Sequence, residues 1–175
     1  RTKSRGLGDV YKRQTLISSF LKKFENCLID IGGQNCHESE DYGSNTCFVN
    51  SKMLKSSGDN NVILGHSENR QKGETDKLIN LKIKSAIKAK LKVIFCIGET
   101  LDEKKRKKTK SILSKQIKLG LKKNKNKSNI FVAYEPVWSI GTGKIPKTDE
   151  LEQTVEFIKK QFKGKLPKIL YGGSV

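Results

Sequence analysis

Apolar residues along the chain fall into two alternating kinds of segment. Leu16, Ile17, Phe20, Leu21 and Phe24 recur at i, i+1, i+4, i+5 and i+8, the spacing of one helical face. A short apolar run follows, Cys27 to Ile31, closed by Gly32 and Gly33. A short helical piece is predicted around Met53 and Leu54, and Val62 to Leu64 forms a second run. Leu78, Ile79, Ile83, Ala86 and Ile87 mark a long helix, Val93 to Ile97 a third run, and Ile112, Leu113, Ile117 and Leu121 another helix. Ile130 to Tyr134 is the fourth run and Ile169 to Tyr171 the fifth. Between them Leu151, Val155, Ile158 and Phe162 have helical spacing, with Thr148 and Asp149 as cap candidates.

The runs are continuously apolar rather than alternating, which is the pattern of strands buried on both faces in a parallel sheet. Their centres lie roughly 30 to 40 residues apart, the length of a βα unit. The class is therefore α/β, built by right-handed crossovers. The pattern does not choose between an open doubly wound sheet and a closed barrel. Both put functional residues in the loops at the carboxyl ends of the strands.

Composition removes several classes. The chain has 175 residues, and its apolar runs are far shorter than the ~18 residues of a membrane span. No apolar stretch follows the charges at the N-terminus, so no secretory signal is expected. The four cysteines, Cys27, Cys36, Cys47 and Cys96, include no C-x-x-C pair, and are read as buried, reduced thiols of a cytoplasmic protein rather than metal ligands or disulfides. Lys and Arg total 36 against 18 Asp and Glu, a formal charge of +18, and only 5 of the 36 are Arg. Base reading favours Arg, and the runs Lys104–Lys110 and Lys122–Lys127 carry no interleaved aromatic residues for stacking. The excess is read as solvated helix faces and loops, with no specific nucleic acid and no membrane as partner.

The loops after the strands hold the candidate chemistry. After the second run stands Gly65-His66-Ser67-Glu68-Asn69-Arg70, with the imidazole one residue beyond a glycine at the strand end. After the fourth run stands Glu135-Pro136-Val137-Trp138-Ser139-Ile140-Gly141-Thr142-Gly143-Lys144. A carboxylate leaving an apolar strand is partly desolvated, and its pKa moves toward that of a useful base. Taken singly, a His or Glu at such a place is more often structural. The segment after Glu135 has the composition of a lid, stiff at Pro136 and Trp138 and permissive at Gly141 and Gly143. Backbone N–H groups near Gly141, and those of Gly172, Gly173 and Ser174, are suited to a phosphate. Together these suggest proton transfer beside a carbonyl in a small phosphorylated metabolite.

The segments Gly33-Gln34-Asn35, Met53-Leu54-Lys55, Val62 to Glu68, Cys96-Ile97-Gly98-Glu99-Thr100, Ala133 to Trp138, Ile140 to Lys144 and Tyr171 to Val175 follow one another in the order and spacing of one family. Over residues 15–175 the chain closely resembles the triosephosphate isomerases, which are (β/α)8 barrels. The resemblance implies that Glu135 is the base beside the substrate carbonyl. It also implies that His66 is the neutral electrophile polarising that carbonyl, in a family that is itself the standard case of such tuning. Gly141 and Ser174 match phosphate-holding positions, Ser67, Glu68, Ile140 and Gly173 match supporting ones, and residues 136–146 match the lid. The implied reaction interconverts dihydroxyacetone phosphate and D-glyceraldehyde 3-phosphate through an ene-diolate, in glycolysis and gluconeogenesis. It implies no metal or cofactor, and a cytoplasmic homodimer. The competing reading is a non-catalytic relative that binds phosphate or nucleic acid.

The resemblance is partial. The five runs correspond to strands three to seven of the eight, so the chain is read as a truncated barrel expected to be inactive alone. Arg1 to Gln14 shows no periodicity and is read as a non-native extension. The Thr-Gly-Glu pattern of the dimer-docking loop reads Thr46-Cys47-Phe48, and Asn69 stands where Arg is usual.

Overall fold

The structure, a computed structural model, describes residues 8–12, 14–23, 29–124, 128–164 and 166–174. Its elements in chain order are β1 (Gly8–Lys12), α1 (Ile17–Lys23), β2 (Ile29–Gly33), α2 (Ser51–Ser56), β3 (Asn61–Leu64), α3 (Ser67–Gln71), α4 (Asp76–Lys88), β4 (Lys92–Ile97), α5 (Leu101–Lys105), α6 (Thr109–Gly120), β5 (Ile130–Tyr134), α7 (Thr148–Lys160) and β6 (Lys168–Tyr171). All six strands are parallel and lie in sequence order, each bonded to the next.

The five anticipated runs are β2 to β6. β1 is an addition to that reading. It pairs with β2 over five residues, Gly8 with Ile29 through Lys12 with Gly33, inside the segment that showed no periodicity. Backbone hydrogen bonds make a strand of it, and Gly8-Asp9-Val10-Tyr11-Lys12 carries only a short apolar signal. β2 also runs through Gly32 and Gly33 instead of ending before them. Phe24, Cys27 and Leu28 lie outside the described residues.

The unbroken apolar strands have a direct explanation in the two faces. Val93, Phe95 and Ile97 of β4 join Val62, Leu64, Val132 and Tyr134 beneath the helices, packed with Ile79 and Ile83 of α4, Leu113 and Ile117 of α6 and Ile158 of α7. Ile94, Cys96 and Ala133 point to the opposite face, where Ile63 and Phe131 pack with them. Each fully buried Leu, Ile or Phe contributes roughly 1.5–3 kcal/mol. Polar staples then fix the helices. Asn80 Nδ2 donates to Gly120 O at 2.8 Å and Lys122 O at 3.0 Å, tying α4 to the end of α6. Lys82 departs from the solvated-lysine reading: it is buried and bonded to Glu74 and to Asn35 Oδ1.

Helix starts follow local chemistry, with one shift. Thr100 and Glu103 form a reciprocal capping box that starts α5 directly after the β4 loop. The start of α7 is displaced from the predicted cap: Lys147 stands at the cap with no side-chain bond, and Thr148 is already helical. Asp149 and Glu150 in the first turn face the positive end of the helix instead. The cysteine reading is corrected at one position. Cys36 and Cys96 are buried, whereas Cys47 is exposed at a turn where φ is 68°, in a loop with little beneath it to bury the thiol. Among the described residues no helix is long and apolar enough to cross a membrane.

Candidate active site

β3, β4, β5 and β6 end side by side, and their last residues deliver the site. The Glu135 N–H donates to Ile97 O at 2.8 Å, so Glu135 continues the β5–β4 ladder by one step. Two glycines make room for it. A Cβ on Gly98 would lie 1.9 Å from Glu135 O, and one on Gly172 would lie 2.8 Å from its Cγ and 2.9 Å from its Oε1. The carboxylate is thus wedged between the ends of β4 and β6 and turned into the cleft.

His66 follows Gly65, whose φ of 77° turns the chain out of β3. Arg70 holds this turn from behind. Its Nε donates to Gly65 O at 2.7 Å, its guanidinium to Cys96 O at 3.2 Å, and it pairs with Asp76 at 2.6 Å. His66 caps α3, its Nδ1 accepting from the Glu68 N–H at 3.3 Å. A ring nitrogen that accepts carries no proton, which assigns the Nε2–H tautomer. Nε2 then faces Glu135 Oε2 at 3.8 Å, too far for a hydrogen bond.

That separation leaves the two groups free for a third party. Oε2 of Glu135 is buried and has no hydrogen-bond partner. Burial raises the Glu135 pKa above the ordinary carboxylate value, opposed in part by His66, the Cys96 thiol and Arg70. Burial and the neighbouring Glu135 push the Cys96 thiol well up, so Cys96 stays protonated.

His66, Glu135, Ile140, Gly141, Gly172, Gly173 and Ser174 line one open cleft of about 380 Å³. Six of the eight site residues chosen from sequence therefore meet here or face it. Ser67 and Glu68 do not. Ser67 is buried in the first turn of α3, and Glu68 acts through its backbone N–H on His66 while its side chain is exposed. Gly141 and Gly143 have φ of 64° and 69°, and no atom lies within 4 Å of a Cβ built on either, so the lid tip stands clear of the body. Ser174 is turned toward the lid: its Oγ donates to Ser139 O at 2.6 Å and its N–H to the same oxygen at 3.3 Å.

Sequence reasoning missed Glu99, which anchors the lid base. It is 1% exposed, accepts from Tyr134 Oη at 3.2 Å on both oxygens and from Trp138 Nε1 at 2.9 Å, and its carbonyl accepts from the Val137 N–H at 3.0 Å. Burial and Glu99 push the Tyr134 phenol up, so it remains the donor. Ser139 is likewise buried, its Oγ donating to Lys144 O at 2.6 Å across the lid. The motif Cys96-Ile97-Gly98-Glu99-Thr100 contains it, but nothing in that motif shows which groups it would hold. Among the described residues no three His, Cys, Asp or Glu side chains gather as a metal site.

A base and an imidazole donor face each other at the strand ends of a parallel α/β sheet, over a glycine-lined cleft with a lid. The parallel order of strands and helices is that of part of a (β/α)8 barrel. The family model for triosephosphate isomerase matches residues 10–175, beginning inside the segment that sequence reading left unmatched. The triosephosphate isomerase of Chlorobium luteolum is 41% identical over 162 residues, covering 88% of this chain and 64% of that protein. That of Geobacter metallireducens is 42% identical over 172 residues, covering 92% and 68%. The crystal structure of triosephosphate isomerase from Bartonella henselae superposes with a TM-score of 0.85 at 34% identity, covering 95% of this chain and 70% of that one. The chain belongs to the triosephosphate isomerase family. It spans about two thirds of the length of the curated relatives it matches, from 64% to 68% for these two.

Proposed function

We propose that this chain carries the acid–base pair of an isomerase that interconverts dihydroxyacetone phosphate and D-glyceraldehyde 3-phosphate, the triose step of glycolysis and gluconeogenesis. Glu135 takes a proton from the carbon beside the substrate carbonyl; the electron pair of that C–H bond forms the new C=C bond, and the C=O π pair moves onto the carbonyl oxygen. The His66 Nε2–H donates to that oxygen, giving the ene-diol(ate). The proton held by Glu135 then returns to the neighbouring carbon, and His66 recovers its proton from the other oxygen. Atoms and electrons balance within the substrate, so the reaction calls for no electron carrier. Gly141 and Ser174, flanked by Ile140 and Gly173, hold the phosphate through backbone groups once the lid has closed and Ser174 has exchanged Ser139 for the anion.

One observation carries this reading: a buried carboxylate oxygen with no partner, 3.8 Å from an imidazole nitrogen whose tautomer offers a proton. The test is Glu135→Gln in the full-length protein, assayed with both trioses. General-base catalysis is worth ~10²–10⁴-fold, and kcat should fall by at least the lower figure. A near-normal kcat would remove Glu135 from the mechanism.

The protein acts as a homodimer in the cytoplasm. Exposed Tyr42 and Phe48 in the 38–48 loop support association, since covering them against a second copy removes apolar surface from water. A doubly charged substrate that does not cross a bilayer unaided supports the location.

A further inference from the structure

A second cavity, of about 520 Å³, lies behind residues 136–146 between α5, α6 and α7, beside the ends of β4 and β5. It is larger than the cleft. Its walls combine three cations, Lys104, Lys107 and Lys110, with the apolar surfaces of Trp138, Pro146 and Leu151. These lysines belong to the Lys104–Lys110 run, which the proposed reaction leaves unused.

Three lysines face two carboxylates, Glu99 and Glu150, in the lining. Lys104 is engaged, bonded to Glu150 at 2.9 Å and lying 3.8 Å over the centroid of the Trp138 ring. Glu99, at the floor, is buried and committed to Tyr134 and Trp138. Lys107 and Lys110 have no carboxylate partner among the described residues; Lys110 lies 5.8 Å from the Phe157 ring. The turn before α6 holds Lys107 at φ 56°, a left-handed conformation that a lysine rarely adopts. It is pinned by the Lys107 N–H to Lys104 O at 2.8 Å and the Lys108 N–H to Glu103 O at 2.8 Å. Thr109 and Lys110 open α6 into the same space without a side-chain cap, adding the positive end of that helix to the two free lysines.

We propose that this cavity is a second ligand site, for a small organic molecule bearing two phosphate groups. A volume of several hundred Å³ with mixed apolar and cationic walls suits a compact metabolite. Two unpaired cations and a helix start accept one phosphate, Lys104 leaves Glu150 and the Trp138 ring to reach the other, and the indole face so freed takes the carbon skeleton with Leu151. The site bears on the lid, because the side chain that Lys104 covers is the one whose N–H holds Glu99.

The test uses inorganic pyrophosphate and fructose 1,6-bisphosphate as probes on the full-length protein in physiological salt. Affinity is read by calorimetry and the site by the Trp138 Nε1–H resonance. Lys107→Gln/Lys110→Gln should weaken both probes roughly tenfold or more, since each charged hydrogen bond lost is worth about that. It should also abolish the Trp138 shift, and leave kcat and KM without probe unchanged. Lys122→Gln/Lys123→Gln removes the same charge elsewhere and should leave binding within about twofold. Equal loss in both pairs of variants, or a Trp138 resonance indifferent to the probes, would reduce the effect to non-specific attraction and overturn the proposal. If pyrophosphate alone binds, the cavity takes inorganic anions and the organic assignment falls.

Discussion

Replacing Gly172 by alanine adds one methyl group to the cleft wall directly behind the proposed base. The φ of Gly172 lies outside the left-handed region, so alanine adopts the backbone without strain and the effect is steric. The new Cβ would sit 2.8 Å from Glu135 Cγ and 2.9 Å from Oε1. Carbon atoms in contact settle at ~3.5–4.0 Å, so the carboxylate must retreat by about 0.7 Å or more. A misplacement of ~1 Å in a reacting group costs of the order of 10²-fold. Gly172→Ala is therefore expected to lower kcat some tens of times to a hundredfold while changing KM little, because the phosphate contacts are untouched. The assay is steady-state kinetics in both directions on protein whose thermal unfolding matches the parent. A kcat within about threefold of the parent, in a folded variant, would refute the idea that Gly172 sets the position of Glu135. Gly98→Ala provides the contrast: its Cβ would meet Glu135 O at 1.9 Å, and backbone cannot yield so far, so that variant should lose folded protein rather than catalytic rate.

The pH profile should carry the signature of burial at Glu135. Its raised pKa means the base is lost on acidification earlier than an ordinary glutamate near ~4.3, so the acidic limb of kcat/KM should lie above that value; a limb at the ordinary position would contradict the burial argument. Asp59 should make stability pH-dependent in the opposite sense to a paired carboxylate. It is fully buried, neither carboxylate oxygen has a hydrogen-bond partner, and burial raises its pKa from 3.8 to about 7, with Lys55 opposing. The folded protein keeps this proton to about pH 7 while the unfolded chain releases it near 3.8, so stability present below 3.8 is lost as pH rises to 7. Asp59→Asn should stabilise the protein by up to about 4 kcal/mol at pH 8 and hardly at pH 4, read by denaturant unfolding, and a gain independent of pH would show another cause. Cys47 occupies a φ of 68° where glycine is at ease, and Cys47→Gly should raise Tm slightly, the ~1 kcal/mol of relieved strain being partly offset by a freer unfolded chain; a lower Tm would mean the thiol packs usefully.

The sequence by itself determined the alternation of elements and pointed to the two side chains proposed to react. Val93 to Ile97 reads as a strand because both its faces are buried, Val93, Phe95 and Ile97 under helices and Ile94 and Cys96 on the other side. His66 and Glu135 were legible because each follows such a strand within a recognisable motif, and motif order is linear information. Other features appeared only in three dimensions. β1 is a strand through its five-residue pairing with β2, not through any pattern of its own. Glu99 became the anchor of the lid because Tyr134 and Trp138, 35 and 39 residues away, converge on it. Gly172 lies against Glu135 because β6 ends in register beside β5, Tyr134 opposite Tyr171. Lys107 and Lys110 are exposed, as a solvated run predicts, and only the packing of α5, α6 and α7 sets them with Lys104 around one open cavity. The reason is common to all four. A local hydrophobic pattern reports which side of one element leaves water, whereas the distance between two strand ends is set by register and packing across the sheet, and no single segment contains that quantity.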